Sequence, residues 1–234
     1  MGRDMIFTAF GKALGQIGDP RFQRVLLLGV GLTFALLVAA YVGLLVLIQM
    51  FVGPETSLPL IGQVTWLNDL LSVGSFFFMM LLSVFLMVPV ASAITSMFLD
   101  EVAAAVEAKH YPGLPPVPGL SVWEGVKDTV NFLGVLITAN VLALVLYVMF
   151  PPAAPFIFWG LNGFLLGREY FTLAAARRVG LIEAKRLRRR HGATIWAAGV
   201  LMAMPLSIPL VNLLIPILGA ATFTHIFHAL WRWR

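Results

Sequence analysis

Long apolar runs separated by short charged clusters set the pattern of this chain. Val25 to Val52 carries no charged residue and exceeds the ~20 residues that a helix needs to cross a bilayer, and Leu70 to Leu99 is equally free of charge. The pattern predicts a tilted span over 25–52 and a second over 70–99, the latter kinked at Pro89. Ahead of them, Met1, Met5, Ile6, Ala9, Phe10, Ala13, Leu14 and Ile17 recur at helical spacing, with Arg3, Asp4, Lys12 and Gln16 mostly elsewhere. This predicts an amphipathic helix over 1–18 lying on a membrane surface. The stretch lacks the long apolar core and small-residue cleavage site of a secretory signal.

The second half has shorter legs. Val130 to Phe150 is apolar, and Pro151-Pro152 turns the chain into Ala153 to Gly167. At 1.5 Å per residue that returning leg reaches about 22 Å, less than the roughly 30 Å hydrocarbon core. Thr194 to Met204 is shorter still and leads into PLSIPLVNLLIPILGAATFTH at 205–225. A proline costs about 3 kcal/mol inside a regular helix, so Pro205, Pro209 and Pro216 mark where helical legs start, break or turn. Broken backbone at membrane depth survives only under cover of protein or a wet cavity. Two hairpins are therefore expected, over 130–176 and 194–228. The second has its tip near Pro205 to Pro209, Asn212 just inside its second leg, and Thr222, Thr224 and His225 near its base. The leg lengths allow partial penetration or six short tilted spans.

Composition converts this pattern into a class. The chain is 60% apolar and 12% charged, with a mean hydropathy of +0.92, against about half and a quarter in a soluble domain. The reading is an all-α integral membrane protein forming one domain over 1–234. The absence of cysteine excludes disulfides and thiolate chemistry. All 16 Lys and Arg lie near the N-terminus, after the second span, over 168–190 or at the C-terminus. By the positive-inside rule this puts both termini and the basic loop in the cytoplasm and 53–69 outside, with the hairpin tips pointing outward.

Several clusters are chemical candidates. In Gly18-Asp19-Pro20-Arg21-Phe22-Gln23-Arg24, free helix N–H groups and guanidinium forks suit a tetrahedral oxyanion, while arginines snorkelling at an interface explain the same residues. Asp100, Glu101 and Glu107, with Arg168 and Glu169, border apolar legs and are candidates for a pathway or gate, with interface anchoring as the competing explanation. The run Arg177, Arg178, Lys185, Arg186, Arg188, Arg189 and Arg190 is expected to set topology and touch anionic lipids rather than nucleic acid. Gly160, Gly163 and Gly167 offer a small helix face for close packing, and Asn140, Asn162 and Asn212 offer buried hydrogen bonds. His225 and His228 lack nearby carboxylate or cysteine partners in the sequence, which favours an interfacial position over a metal site. No P-loop, GxSxG or HExxH is present, so neither an enzyme nor a cofactor is expected.

PLVNLLIPILGAATFTH resembles the C-terminal signature of the CysZ-type sulfate permeases and of the broader etoposide-induced-protein-like membrane family. QIGDPRFQR, FLDEVAAAVE and GREYF agree with it in order. The resemblance implies two long transmembrane helices, two partly penetrating helix pairs, and a homo-oligomer in a bacterial inner membrane that passes sulfate or a related oxyanion. It also implies a sulfate-binding Gly-apolar-Arg-Arg turn at Gly18, Arg21 and Arg24. Here Asp19 adds a repelling charge, Pro20 removes a donor, and the second arginine is displaced to Arg24. A non-transporting membrane scaffold is the alternative function within the same broad family.

Overall fold

The structure, a computed structural model, describes residues 2–52, 57, 58, 62, 63, 74, 77, 99–115, 117, 122–212 and 214–231. Most of the expected 70–99 span, including Pro89, and most of the 53–69 link lie outside the described residues. The described chain is helical apart from a two-residue antiparallel pairing of Ser57–Leu58 (β1) with Gly62–Gln63 (β2). Contacts divide it into two units, residues 1–26 with 96–234 and residues 27–95.

Helix α1 is Gly2–Leu14 and α2 is Pro20–Val52. The predicted surface helix packs on protein: Ile6, Ala9 and Ala13 are buried and α1 lies against the C-terminal helices, while Phe7 and Leu14 are exposed. An interfacial position alone therefore does not describe it. Ile6, Ala9, Ala13 and Gln16 recur every three or four residues, which is the register of a helix docked along one stripe.

Helix α3 is Leu99–His110, and it ends where Pro112 and Gly113 follow, the latter at φ +84. Helix α4, Val122–Met149, meets a 3₁₀ turn at Pro151–Ala153 and then α5, Ala154–Arg190. The returning leg thus continues well past Gly167. Gly180, at φ 76 and ψ 162, breaks α5, a conformation that glycine adopts without a Cβ penalty. A straight helix would separate residues 172 and 188 by about 24 Å, yet Arg188 Nη1 donates to Thr172 Oγ1 at 2.8 Å. The chain therefore folds back on itself at Gly180.

Helix α6 is Gly192–Ala203, followed by a 3₁₀ turn at Met204–Ser207, α7 at Pro209–Asn212 and α8 at Ile215–Trp231. Pro205 lies in the turn, Pro209 opens α7 and Pro216 is the second residue of α8, all first-turn positions where the missing N–H is no loss. Its 12 residues give α6 about 18 Å of length. It crosses α5 at the glycine face: a Cβ on Gly163 would come within 2.6 Å of Val200, and one on Gly199 would overlap the Gly163 carbonyl oxygen. Asn140 and Asn162 bond instead to carbonyls of their own helices, at Leu136 and Phe158, and Asn140 is exposed.

Two described stretches, Pro20–Gly43 and Asn131–Met149, are long and apolar enough to cross a membrane, with only 17% and 6% of their residues buried by the fold. Such helices leave most of their apolar surface to another apolar phase. In contrast α8 is buried along nearly its whole length, from Ile215 to His228, and forms the centre against which α1, α3 and α5 pack.

Candidate functional site

Within the core around α8, a carboxylate is held by four donors. Glu107, 5% exposed on α3, accepts from Arg178 Nε at 2.8 Å and His228 Nε2 at 3.0 Å on Oε1. Its Oε2 accepts from Arg178 Nη2 at 2.6 Å and Arg177 Nη1 at 3.2 Å. Arg178 therefore grips the carboxylate with a guanidinium fork, the strong bidentate form of this pair. Burial alone would raise the Glu107 pKa, but the hydrogen bonds from His228 and Arg178 and the charges of Arg177 and Arg178 outweigh it and hold the group down at about 2.

The network extends along the end of α3. Tyr111 stacks on His228 with ring centroids 4.1 Å apart, and its hydroxyl lies 2.9 Å from His225 Nδ1. His110 meets His225 edge to face at 4.8 Å. Arg178 also donates to the Pro115 carbonyl, which ties down the linker after α3. Two guanidiniums share the Glu107 carboxylate, and Arg177 is also paired with Asp100 at the edge of the cluster. Arg177 Nε is buried without a hydrogen-bond partner among the described residues, 3.9 Å from Asp100 Oδ1. Beside it lies a cavity of about 10 Å³ bordered by Asp100, Tyr170, Arg177 and Thr224.

Among the pathway candidates the structure brings together Glu107 and, through Arg177, Asp100, whose side chain is 82% exposed. Glu101 is exposed. Arg168 sits over the Phe132 ring at 5.8 Å, and Glu169 is half-buried beside it in sequence. Asn212, on the short α7, is half-buried.

Two expectations are corrected. Arg177 and Arg178 are not lipid-facing members of a basic run, since they turn inward onto Glu107. His225 and His228 are buried rather than interfacial, and His228 has a carboxylate partner that lies 121 residues away in sequence. The overlooked signal for Arg177 was its register, because Tyr170, Phe171, Ala174 and Arg177 share one buried stripe of α5. No local pattern pointed to His228.

The turn before α2 is built differently. Gly18, Arg21 and Arg24 are exposed. Asp19 Oδ1 accepts the Arg21 N–H at 2.9 Å, while its Oδ2 accepts from Gln16 Nε2 at 3.0 Å. The Asp19 carboxylate is thus the N-cap of α2. The Gln16 hydrogen bond leads the interactions that lower its pKa, against the opposing effect of burial. Gln16 Nε2 also reaches the Ala105 carbonyl at 3.3 Å, joining this turn to α3.

No curated protein and no solved structure matches the chain. Residues 9–216, which include the α2 turn, Glu107 and both partner arginines, match the family described as Sulfate transporter CysZ/Etoposide-induced protein 2.4. With its long apolar helices and that match, the chain is an all-α membrane protein belonging to the sulfate transporter CysZ/etoposide-induced protein 2.4 family.

Proposed function

We propose that the protein is a permease or channel for sulfate or a related oxyanion in a bacterial inner membrane, acting as a homo-oligomer with both termini in the cytoplasm. The observation that carries this reading is the family match over residues 9–216. The buried cluster supports it, since ionisable groups kept inside a membrane protein mark pathways and relays. The Arg177 Nε, buried without a hydrogen-bond partner among the described residues, suits an anion in transit. The cavity beside Arg177 is about 10 Å³, space for roughly one water, so passage of sulfate at this point requires α3, α5 and α8 to part.

Arg21 and Arg24 are the proposed entry contacts. Three residues apart on an exposed helix face, they are neighbours and can converge on one oxyanion. Because Asp19 already occupies the helix end, the contact falls to their side chains rather than to the backbone. That same capping carboxylate favours the second reading, a membrane scaffold that does not transport.

Reconstitution in liposomes separates the two. Sulfate flux above that of empty liposomes is expected, with Arg21→Ala reducing it well below Arg190→Ala, a change in an exposed residue of the basic run. Arg21→Lys should rescue only partly because an ammonium lacks the planar fork. Flux no greater than in empty liposomes, from folded and oriented protein, would establish the scaffold reading. Full flux in Arg21→Ala would keep transport and discard this entry site.

A further inference from the structure

Away from the Glu107 cluster, Arg168, Arg188 and Arg189 border a cavity of about 250 Å³ at the start of α6, together with Phe164, Gly192 and Trp196. No carboxylate lines it among the described residues. Two of the three cations are pre-positioned: Arg168 by the Phe132 ring and Arg188 by its hydrogen bond to Thr172. The whole arrangement suits a group with several anionic oxygens.

The other wall identifies what carries that group. Trp196, fixed by donating from Nε1 to the Gly160 carbonyl at 3.0 Å, also borders an apolar groove of about 310 Å³ between α1 and α6. Ile6, Phe7, Val200 and Leu201 line that groove, with Arg3 also on its border. A free inorganic anion would use the arginines and leave the groove unused. A molecule with an anionic head and a long apolar tail uses both, and basic pockets of this kind in membrane proteins take lipid head groups.

We infer that this is a built phospholipid site, with the phosphate of an anionic lipid held by Arg168, Arg188 and Arg189 and an acyl chain laid past Trp196 into the α1–α6 groove. It is independent of sulfate transport. The test is titration of delipidated protein in detergent, read by native mass spectrometry, with phosphatidylglycerol, phosphatidylcholine and glycerol phosphate as probes. Phosphatidylglycerol is expected to bind once, at least about tenfold tighter than phosphatidylcholine. Arg168→Gln with Arg189→Gln should weaken it at least about tenfold. Arg186→Gln with Arg190→Gln removes the same charge outside the pocket and should leave it unchanged.

Should the glutamine pair fail to fold, Arg168→Lys with Arg189→Lys keeps the charge and is expected to weaken binding by a smaller factor. Equal weakening by the two glutamine pairs, or equal affinity for the two lipids, would overturn the site. Glycerol phosphate binding as tightly as the intact lipid would reassign the pocket to free oxyanions and overturn the lipid.

Discussion

Replacing Glu107 by Gln keeps the shape of the side chain and removes the charge that the buried Arg177 and the half-buried Arg178 share. Losing one partner of a buried ion pair costs about 3–5 kcal/mol, because the remaining charge stays buried without compensation. The depressed pKa gives a second figure: holding a carboxyl at about 2 against an ordinary 4.5 corresponds to about 3 kcal/mol of folding stability. At roughly 2–4 °C per kcal/mol for a chain of this size, Glu107→Gln should lower the thermal midpoint in detergent by roughly 6–20 °C at neutral pH.

The sign of the pH dependence follows from the same group. Its folded pKa lies below the unfolded value, so its contribution is fully present above about 4.5 and is lost as pH falls toward 2. The parent protein should therefore lose part of its midpoint between pH 5 and 3, and Glu107→Gln should lack that component. Adding Arg178→Gln to Glu107→Gln should cost less than Arg178→Gln alone, the coupling expected of direct partners. A midpoint for Glu107→Gln within about 2 °C of the parent, below the shift of even 1 kcal/mol, or an identical acid loss in both proteins, would refute the network as a source of stability.

The α5–α6 crossing gives an independent check: Gly199→Ala should destabilise by about 1–3 kcal/mol because its methyl meets the Gly163 carbonyl. Gly192→Ala, with nothing within 4 Å of its Cβ, should stay close to the parent in the same melt. For topology, Thr56→Cys and Ile182→Cys should react with impermeant reagents from opposite sides of the membrane, and reaction of both from one side would refute the cytoplasmic basic loop. Ile182 is the useful position because it is 82% exposed, whereas nearby Ala184 is fully buried and would report packing instead.

The sequence by itself determined the class and the positions of the chain breaks. Charge-free runs and a composition too apolar for water point to a membrane protein of helices, since a continuous apolar run of this length satisfies its own backbone as a helix, whereas barrel strands are short and alternate. Proline geometry placed turns at Pro151-Pro152 and around Pro205 to Pro209, because a residue without an N–H is accommodated where a helix begins. The small face at Gly163 and Gly167 was likewise legible, as helix spacing puts both on one side.

Tertiary structure alone decided which charges are buried and with whom. Arg177 and Arg178 read as members of a basic run in sequence, but the docking of α3 and α8 against α5 turns them onto Glu107, 70 and 71 residues away. His228 joins the same carboxylate across 121 residues. Periodicity reports which side of a helix is apolar, and it carries no information about which polar group on another helix will face that side. The pairing is fixed by long-range packing, and the cost of a buried charge without a partner is what makes that pairing specific.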